Sequence, residues 1–242
     1  MHRQHAVAII LCAGQGTRMG HSRNKIFLPL AGKPLLIWTL RAFERAASVE
    51  GVLLVAHERE VESLRDEIIE RFHVRKILGV VAGGASRHQS EACALSALRQ
   101  QVERDEFDVI LIHDGARPFV RADDIDATVA IARESGAAVV AAPVATSELI
   151  VTVGPDGCVK EVLPPQELWR AQTPQAFTAR DLLAAYDDAR ASGFEGTDTA
   201  STWERTGKPV RVVEGRGLNV KVTTPHDLML AERLARELQD AE

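Results

Sequence analysis

The densest chemistry in this chain lies in Leu11-Cys12-Ala13-Gly14-Gln15-Gly16-Thr17-Arg18-Met19-Gly20, which follows an apolar run from Val7 to Ile10 and leads to Lys25. Glycines let backbone N–H groups approach phosphate oxygens, and Arg18 and Lys25 add formal positive charge, so the loop reads as a cradle for a phosphate chain. Its spacing, Gly14-x-Gly16-x-x-x-Gly20, matches neither the G-x-G-x-x-G of a dinucleotide fold nor a P-loop. A dinucleotide fold also wants an acid about twenty residues after the loop; here Leu53 to Ala56 ends in His57-Glu58, about forty residues on. Taken alone, the loop also fits an ordinary strand-to-helix turn.

Two further clusters follow apolar runs. Gly83-Gly84-Ala85-Ser86 leads into a segment holding Ser90; adjacent glycines there present backbone groups to a base edge or simply make a turn. In Ile112-His113-Asp114-Gly115-Ala116-Arg117-Pro118, Asp114 is placed to hold a divalent cation and Arg117 an anionic substrate, or the two close a loop as an ion pair. Gly196-Thr197-Asp198 and Asn219-Val220-Lys221-Val222-Thr223 repeat the theme of short polar clusters beside apolar residues. Lys221 interrupts a buried-looking run, as a snorkelling lysine does and as a lysine aimed at a phosphate does.

Other chemistries find less support. His113 has no histidine or cysteine partner at metal-ligand spacing and reads as a structural hydrogen-bonding residue, and no G-x-S-x-G elbow occurs. The three cysteines, Cys12, Cys93 and Cys158, form no C-x-x-C pair, which suggests neither a disulfide framework nor a zinc site. A net charge of −5 without basic runs argues against a nucleic-acid surface. With no long apolar span and no signal-peptide core in Met-His-Arg-Gln-His, the expected compartment is the cytoplasm, away from any membrane.

These clusters must be positioned by a scaffold, and the 242 residues alternate short Val/Ile/Leu runs with amphipathic segments. That is the pattern of βαβ units and a Rossmann-like, mainly parallel twisted sheet flanked by helices, an α/β fold. Strands are expected at Val7–Leu11, Val52–Ala56, Ile77–Val81, Val109–His113, Ala137–Ala142 and Val210–Val213. Helices are expected at Pro34–Phe43, Glu58–Arg71, from Ser86 to about Arg99 with capping-box spacing, Asp123–Glu134, Leu182–Ala191, and Pro225 to about Leu238. After Pro143 the rhythm breaks: Ile150–Val153, the turn Gly154-Pro155-Asp156-Gly157, and Cys158–Leu163 read as a β-hairpin. The expected organisation is a single domain over 1–242 with a projecting β-arm over 145–172, which either embraces a second subunit or packs on its own domain. Ligands of an open parallel sheet sit beyond the carboxyl ends of its strands, where the polar clusters fall.

Ala13-Gly14-x-Gly16-x-Arg18-Met19 with Lys25, Gly83-Gly84-x-x-Arg87-x-x-Ser90, His113 to Pro118, Gln172-Thr173-Pro174-Gln175, Thr197-Asp198 and Asn219 to Thr223 occur in this order. Together they resemble the 2-C-methyl-D-erythritol 4-phosphate cytidylyltransferase family along nearly the whole chain. The resemblance implies a homodimeric, magnesium-requiring enzyme of non-mevalonate isoprenoid synthesis that joins CTP to methylerythritol phosphate and releases pyrophosphate. It implies catalytic roles for Arg18, Lys25 and Lys221. Ala13, Gly14, Gly16, Gly83, Gly84, Ser90 and Gly115 would bind the nucleotide. Arg117, Ser147, Thr173 and Thr197 would bind the acceptor, and Asp114 the Mg²⁺.

The residue types suit that reaction. The attacking group is a phosphate oxygen already ionised near neutral pH, so cations rather than a general base do the work. Two departures fall on the acceptor side. The family carries an arginine in a pattern like Asp-Arg-x-x-Leu-Trp, whereas Leu163-Pro164-Pro165-Gln166-Glu167-Leu168-Trp169 puts Pro165 in its place, with Arg170 nearby. The family's Pro-Val-x-Asp-Thr is here Pro143-Val144-Ala145-Thr146-Ser147. The residues therefore also admit a cytidylyltransferase for another polyol phosphate, such as ribitol 5-phosphate, or a nucleotide-binding regulatory protein of the same fold.

Overall fold

A computed structural model describes residues 5–14, 23–145, 147 and 149–240. The chain opens with β1 (Ala6–Leu11), then a two-stranded ribbon of β2 (Pro29–Leu30) and β3 (Lys33–Pro34), and α1 (Leu35–Arg45). Next come β4 (Val49–Ala56), α2 (Val61–Leu64), β5 (Ile77–Ala82), α3 (Arg87–Glu103), β6 (Val109–Asp114), α4 (Ala122–Ser135) and β7 (Ala137–Pro143). A hairpin of β8 (Ile150–Val153) and β9 (Val159–Leu163) precedes β10 (Trp169–Thr178). The chain ends with α5 (Ala179–Ser192), α6 (Thr199–Glu204), β11 (Arg211–Glu214) and α7 (Pro225–Asp240).

Among the described residues, seven strands form one sheet in the order β11-β7-β10-β6-β1-β4-β5. All neighbours run parallel except β10, which is antiparallel to both β6 and β7. The period of two in a strand sends alternate residues to opposite faces, so a sheet covered on both sides reads as continuous hydrophobic runs. In β1, Ala6, Ala8 and Ile10 join the core under α1 and α4 with Leu36, Leu40, Phe43, Ile125 and Val129. Val7 and Ile9 join the opposite core with Leu95, Leu98, Leu182, Tyr186 and Trp203 from α3, α5 and α6. A third cluster seats α7 through Ala231 and Ala235 against Leu30, Leu35, Phe119 and Val222.

Apart from the segment 58–71, each expected strand and helix is present with ends shifted by a few residues, and the expectations omit β2, β3, α6 and β10. The segment 58–71 is a 3₁₀ turn (Glu58–Glu60), a single α turn and a π segment (Arg65–Glu70), which bury Leu64 and Ile68. β10 escapes the sequence pattern, because Pro174 interrupts the run and proline cannot donate to a ladder. The structure accommodates it with a register irregularity between Ala171 and Gln175, across a cis Thr173–Pro174 bond. The projecting piece is consequently shorter than 145–172: Trp169, Arg170 and Ala171 pair with Pro143, Ala142 and Ala141 inside the main sheet.

The hairpin turn forms where its glycines fall, with Gly154 N–H bonded to Cys158 O at 2.8 Å and Gly157 at a φ of 79°. An irregularity after Thr152 sets Val153 opposite Val159 while Val151 faces Val162, so the valines share one face of the ribbon.

Candidate active site

The chain passes from β1 to β4 and β5 on one side of the sheet, then crosses to β6 on the other side of β1. Carboxyl ends of strands beside such a reversal open a crevice. Leu11 and Asp114 end their strands there as register partners. A cleft of about 830 Å³ occupies the crevice, lined by Ala13, Gly14, Lys25, Gly83, Gly84, Ser90, Arg87, Asp114 and Lys221 among others.

Asp114 organises the floor. Its Oδ1 accepts from Arg87 Nη1 at 2.6 Å, and its Oδ2 accepts from Arg117 Nε at 3.1 Å and Lys221 Nζ at 3.0 Å. Burial alone would raise the Asp114 pKa, but the three neighbouring cations outweigh it and hold the carboxyl well below the ordinary range. Its backbone N–H donates to Thr173 Oγ1 at 3.1 Å, and the same hydroxyl is bonded to His113 Nδ1 at 3.0 Å. His113 is fully buried against the edge of Phe43, and burial pushes its pKa down to about 3. It stays neutral at physiological pH, as a structural histidine should.

The cations reach Asp114 from three separate elements. Lys221 lies between Asn219, whose side chain donates to Thr173 O at 2.7 Å, and Val222, whose N–H donates to Ala116 O at 2.9 Å. These bonds lay the 219–223 segment across the end of β6. Arg117 is fixed by a second bond from Nη1 to Asn219 O at 2.8 Å. Arg87 opens α3 beside the cap Ser86, whose Oγ accepts from Gln89 N–H at 3.1 Å. The Gln89 side chain reaches back to Ala85 N–H at 3.0 Å, a capping box displaced by one residue.

The glycines sit where side chains do not fit. A Cβ at Gly83 would lie 2.6 Å from Ser90 Oγ, and one at Gly84 would lie 2.4 Å from Gln89 Cβ. Ser90 Oγ in turn accepts from Gly84 N–H at 3.2 Å. At Gly115 a Cβ would meet Cys12 Sγ at 2.9 Å and Leu11 O at 3.1 Å, because β1 and β6 close tightly below the cleft. Opposite this wall, Lys25 begins a 3₁₀ turn (Lys25–Phe27) whose cap Asn24 ties it to β1 by donating to Cys12 O at 2.8 Å. Cys12 also lines the cleft, but burial, with Glu60 adding to it, pushes its thiol pKa up and denies it a nucleophile's character.

The structure thus gathers Ala13, Gly14, Lys25, Gly83, Gly84, Ser90, Asp114 and Lys221 around one cleft, with Gly115 and Arg117 directly behind. Thr173 is buried beneath Asp114 and does not line the cleft. Thr197 is exposed beside Asp198, the cap of α6, and Ser147 is exposed just before the hairpin. Gly16 and Arg18 lie outside the described residues. Arg87 belongs to the Gly83-Gly84-x-x-Arg87-x-x-Ser90 motif, where the sequence alone gives it no role. Its signal was its place: a cation in the first turn of a helix opposes the helix dipole and needs a local reason.

A sequence model described as "IspD: 2-C-methyl-D-erythritol 4-phosphate cytidylyltransferase" matches residues 6–237. A 2-C-methyl-D-erythritol 4-phosphate cytidylyltransferase from Geobacter metallireducens is 44% identical over 230 residues, covering 95% of this chain and 97% of that protein. Among solved structures, 4-diphosphocytidyl-2C-methyl-D-erythritol synthase from Anaerococcus prevotii superposes with a TM-score of 0.81 at 27% identity, covering 96% of each chain. The 2-C-methyl-D-erythritol 4-phosphate cytidylyltransferase from Thermus thermophilus gives a TM-score of 0.73 at 32% identity, covering 97% of this chain and 100% of the other.

Proposed function

Because the chain belongs to the 2-C-methyl-D-erythritol 4-phosphate cytidylyltransferase family, we propose that it transfers the cytidylyl group of CTP to 2-C-methyl-D-erythritol 4-phosphate and releases pyrophosphate. The observation that carries this reading is the cleft in which Asp114, Arg87 and Lys221 face Ala13, Gly14 and Lys25, with Arg117 paired to Asp114 from behind. Such a charge arrangement suits two polyanions meeting head to head.

The acceptor phosphate attacks the α-phosphorus of CTP, one P–O bond forms as the bond to pyrophosphate breaks, and the proton inventory needs no base. The obstacles are repulsion between anions and charge growth on the α-phosphate and leaving group. Lys25, with Arg18 as its expected companion, holds the triphosphate. Lys221, at 38% side-chain exposure, reaches both the α-phosphate and the incoming phosphate. Arg117 takes the acceptor, aided by Thr197 and Ser147. Gly83, Gly84 and Ser90 offer a wall for the pyrimidine, and a side chain at either glycine would collide with Ser90 or Gln89 and displace that wall. The phosphates substitute for Asp114 as partners of the cations, so the ligand-free ion pairs keep these side chains near their working positions.

A magnesium ion fits this donor set. Among the described residues no group of three His, Cys, Asp or Glu side chains could cage a metal. Mg²⁺ on a nucleotide characteristically takes one or two carboxylates, water and phosphate oxygens, and Asp114 supplies one carboxylate at the cleft. Bound there, it would neutralise charge on the triphosphate.

Two copies of the chain are proposed to pair through the hairpin, whose valine face includes Val153, Val159 and Val162 at 54–59% exposure. No described helix is long and apolar enough to cross a membrane, which accords with a cytoplasmic enzyme. One observation favours a second acceptor, a polyol phosphate such as ribitol 5-phosphate: Pro165, which opens a short 3₁₀ turn (Pro165–Glu167), supplies no charge where an arginine is expected. Phosphorus NMR of a reaction with CTP, magnesium and methylerythritol phosphate tests the proposal. The expected outcome is a new pair of diphosphodiester resonances appearing with pyrophosphate; nucleoside monophosphate appearing instead would make the protein a hydrolase.

A further inference from the structure

Arg87 stands between two carboxylates, and only one of them belongs to the cleft. Its Nη1 donates to Asp114 Oδ1 at 2.6 Å, while its Nε donates to Glu91 Oε1 at 2.9 Å, one helical turn along α3. Glu91 is completely buried and does not line the cleft. Its second oxygen accepts a hydrogen bond from the Tyr186 hydroxyl on α5. The Tyr186 ring stacks on His88 with centroids 4.7 Å apart and planes at 12°. His88 Nδ1 accepts from Gly196 N–H at 3.4 Å, so the network ends at the loop that carries Thr197.

A carboxylate buried this deeply costs several kcal/mol unless it is paired, and replacing such pairs by apolar groups is often neutral for stability. The arrangement therefore calls for a use beyond holding the fold. Burial raises the Glu91 pKa, and Arg87 with the Tyr186 and Thr199 hydroxyls opposes part of that rise. Arg87 has several rotatable bonds and sits in a helix turn that disfavours its charge. Anchoring Nε from behind leaves the fork facing Asp114 in a single orientation.

We infer that Glu91 and Tyr186 are positioning residues of the nucleotidyl transfer site, acting through Arg87 to hold Asp114 in place while the other cations of the floor turn to the substrates. The inference rests on the proposed function. Of the three cations on Asp114, Lys221 comes from a loop and is the most exposed, and Arg117 is held by a backbone carbonyl. Arg87 alone is backed by a buried charge. It is thus the partner that stays when anionic substrates draw the others away, and Asp114 keeps its orientation through the reaction.

Tyr186→Phe removes the hydroxyl and retains the ring on His88, and Glu91→Gln removes the charge and retains the shape. The expected result is a lower kcat in both, by about threefold for Tyr186→Phe, which loosens Glu91 one bond away from Arg87, and about tenfold or more for Glu91→Gln, which removes the charge paired directly with the guanidinium. The decisive measurement repeats Tyr186→Phe in an Arg87→Met background. No additional loss of kcat is expected there, because the effect passes through the guanidinium. An equal loss with and without Arg87 would assign Tyr186 to packing alone and overturn the inference. The Arg87 Nε–H proton resonance gives a second reading, free of substrate and of Arg87→Met folding. Its exchange with water is expected to be slow in the wild type and faster in Tyr186→Phe, and unchanged exchange would also overturn the inference. An inactive wild type with a protected Arg87 counts against the proposed activity, whereas an active wild type with an unprotected Arg87 counts against the positioning role.

Discussion

At the cleft floor, Asp114 is 5% exposed and shares three cations drawn from α3, the loop after β6 and the segment before α7. In the hairpin of β8 and β9, Val153, Val159 and Val162 are each more than half exposed, and the two strands form a separate ribbon outside the main sheet. The first region is over-determined: every charged group has partners distant in sequence, so a substitution disturbs charge that has nowhere else to go. The second is under-determined, since a two-stranded ribbon is marginal in water and its apolar face needs a surface to cover it. The charged floor is accordingly built within one chain, whereas Ser147, a proposed acceptor residue, lies just before a hairpin whose apolar face one chain leaves open.

The sharpest way to break this contrast is Asp114→Asn, which leaves three cations without their shared charge. We expect a loss of about 3 kcal/mol in unfolding free energy at pH 7, as for other broken buried pairs. The pH dependence has a definite sign. The folded pKa of Asp114 lies below its ordinary value of 3.8, so its contribution is present above that value and disappears as pH falls below it. Urea unfolding of wild type and variant across a pH series should show the gap closing in acid; a gap independent of pH would remove the ion pairs from the account.

Lys25→Ala comes next, with turnover expected to fall about a hundredfold for loss of one positioned cation and the circular dichroism spectrum unchanged. Near-normal turnover would detach Lys25 from the triphosphate. Gly115→Ala probes the close approach of β1 and β6 rather than charge. A Cβ 2.9 Å from Cys12 Sγ forces a shift costing about 2 kcal/mol, visible as a lowered melting temperature. The smallest effect on the fold is expected from Val159→Asp with Val162→Asp. These changes should leave the melting temperature of the separate chain unchanged and shift sedimentation from a dimer to a monomer. A wild type that is already monomeric would end the proposed role of the hairpin.

Much of this contrast could be read before any coordinates. Asp114 stands out as a charge at the end of an apolar run and Lys221 as a charge interrupting one, and the alternation of runs and helices determines most of the sheet, because both rest on local periodicity. β10 escapes such a reading since its pairing partners, β6 and β7, lie far away in sequence and Pro174 breaks its pattern. Glu91, and the place of Thr173 beneath Asp114 rather than against the acceptor, are hidden for a related reason. A threonine beside a proline looks like a loop residue, and an acid on a helix looks like part of a solvated face, until packing turns one under Asp114 and the other against Tyr186. What distance in sequence conceals is the second layer of the site, the groups that hold the visible cations in place.

The central claim is that this cleft joins CTP to a specific phosphate acceptor, and pyrophosphate release is its direct measure. Release from CTP is to be followed with methylerythritol phosphate, with ribitol 5-phosphate and with no acceptor. The account predicts rapid release with methylerythritol phosphate alone. Release with ribitol 5-phosphate but not methylerythritol phosphate, or CTP binding without release in any arm, would contradict it.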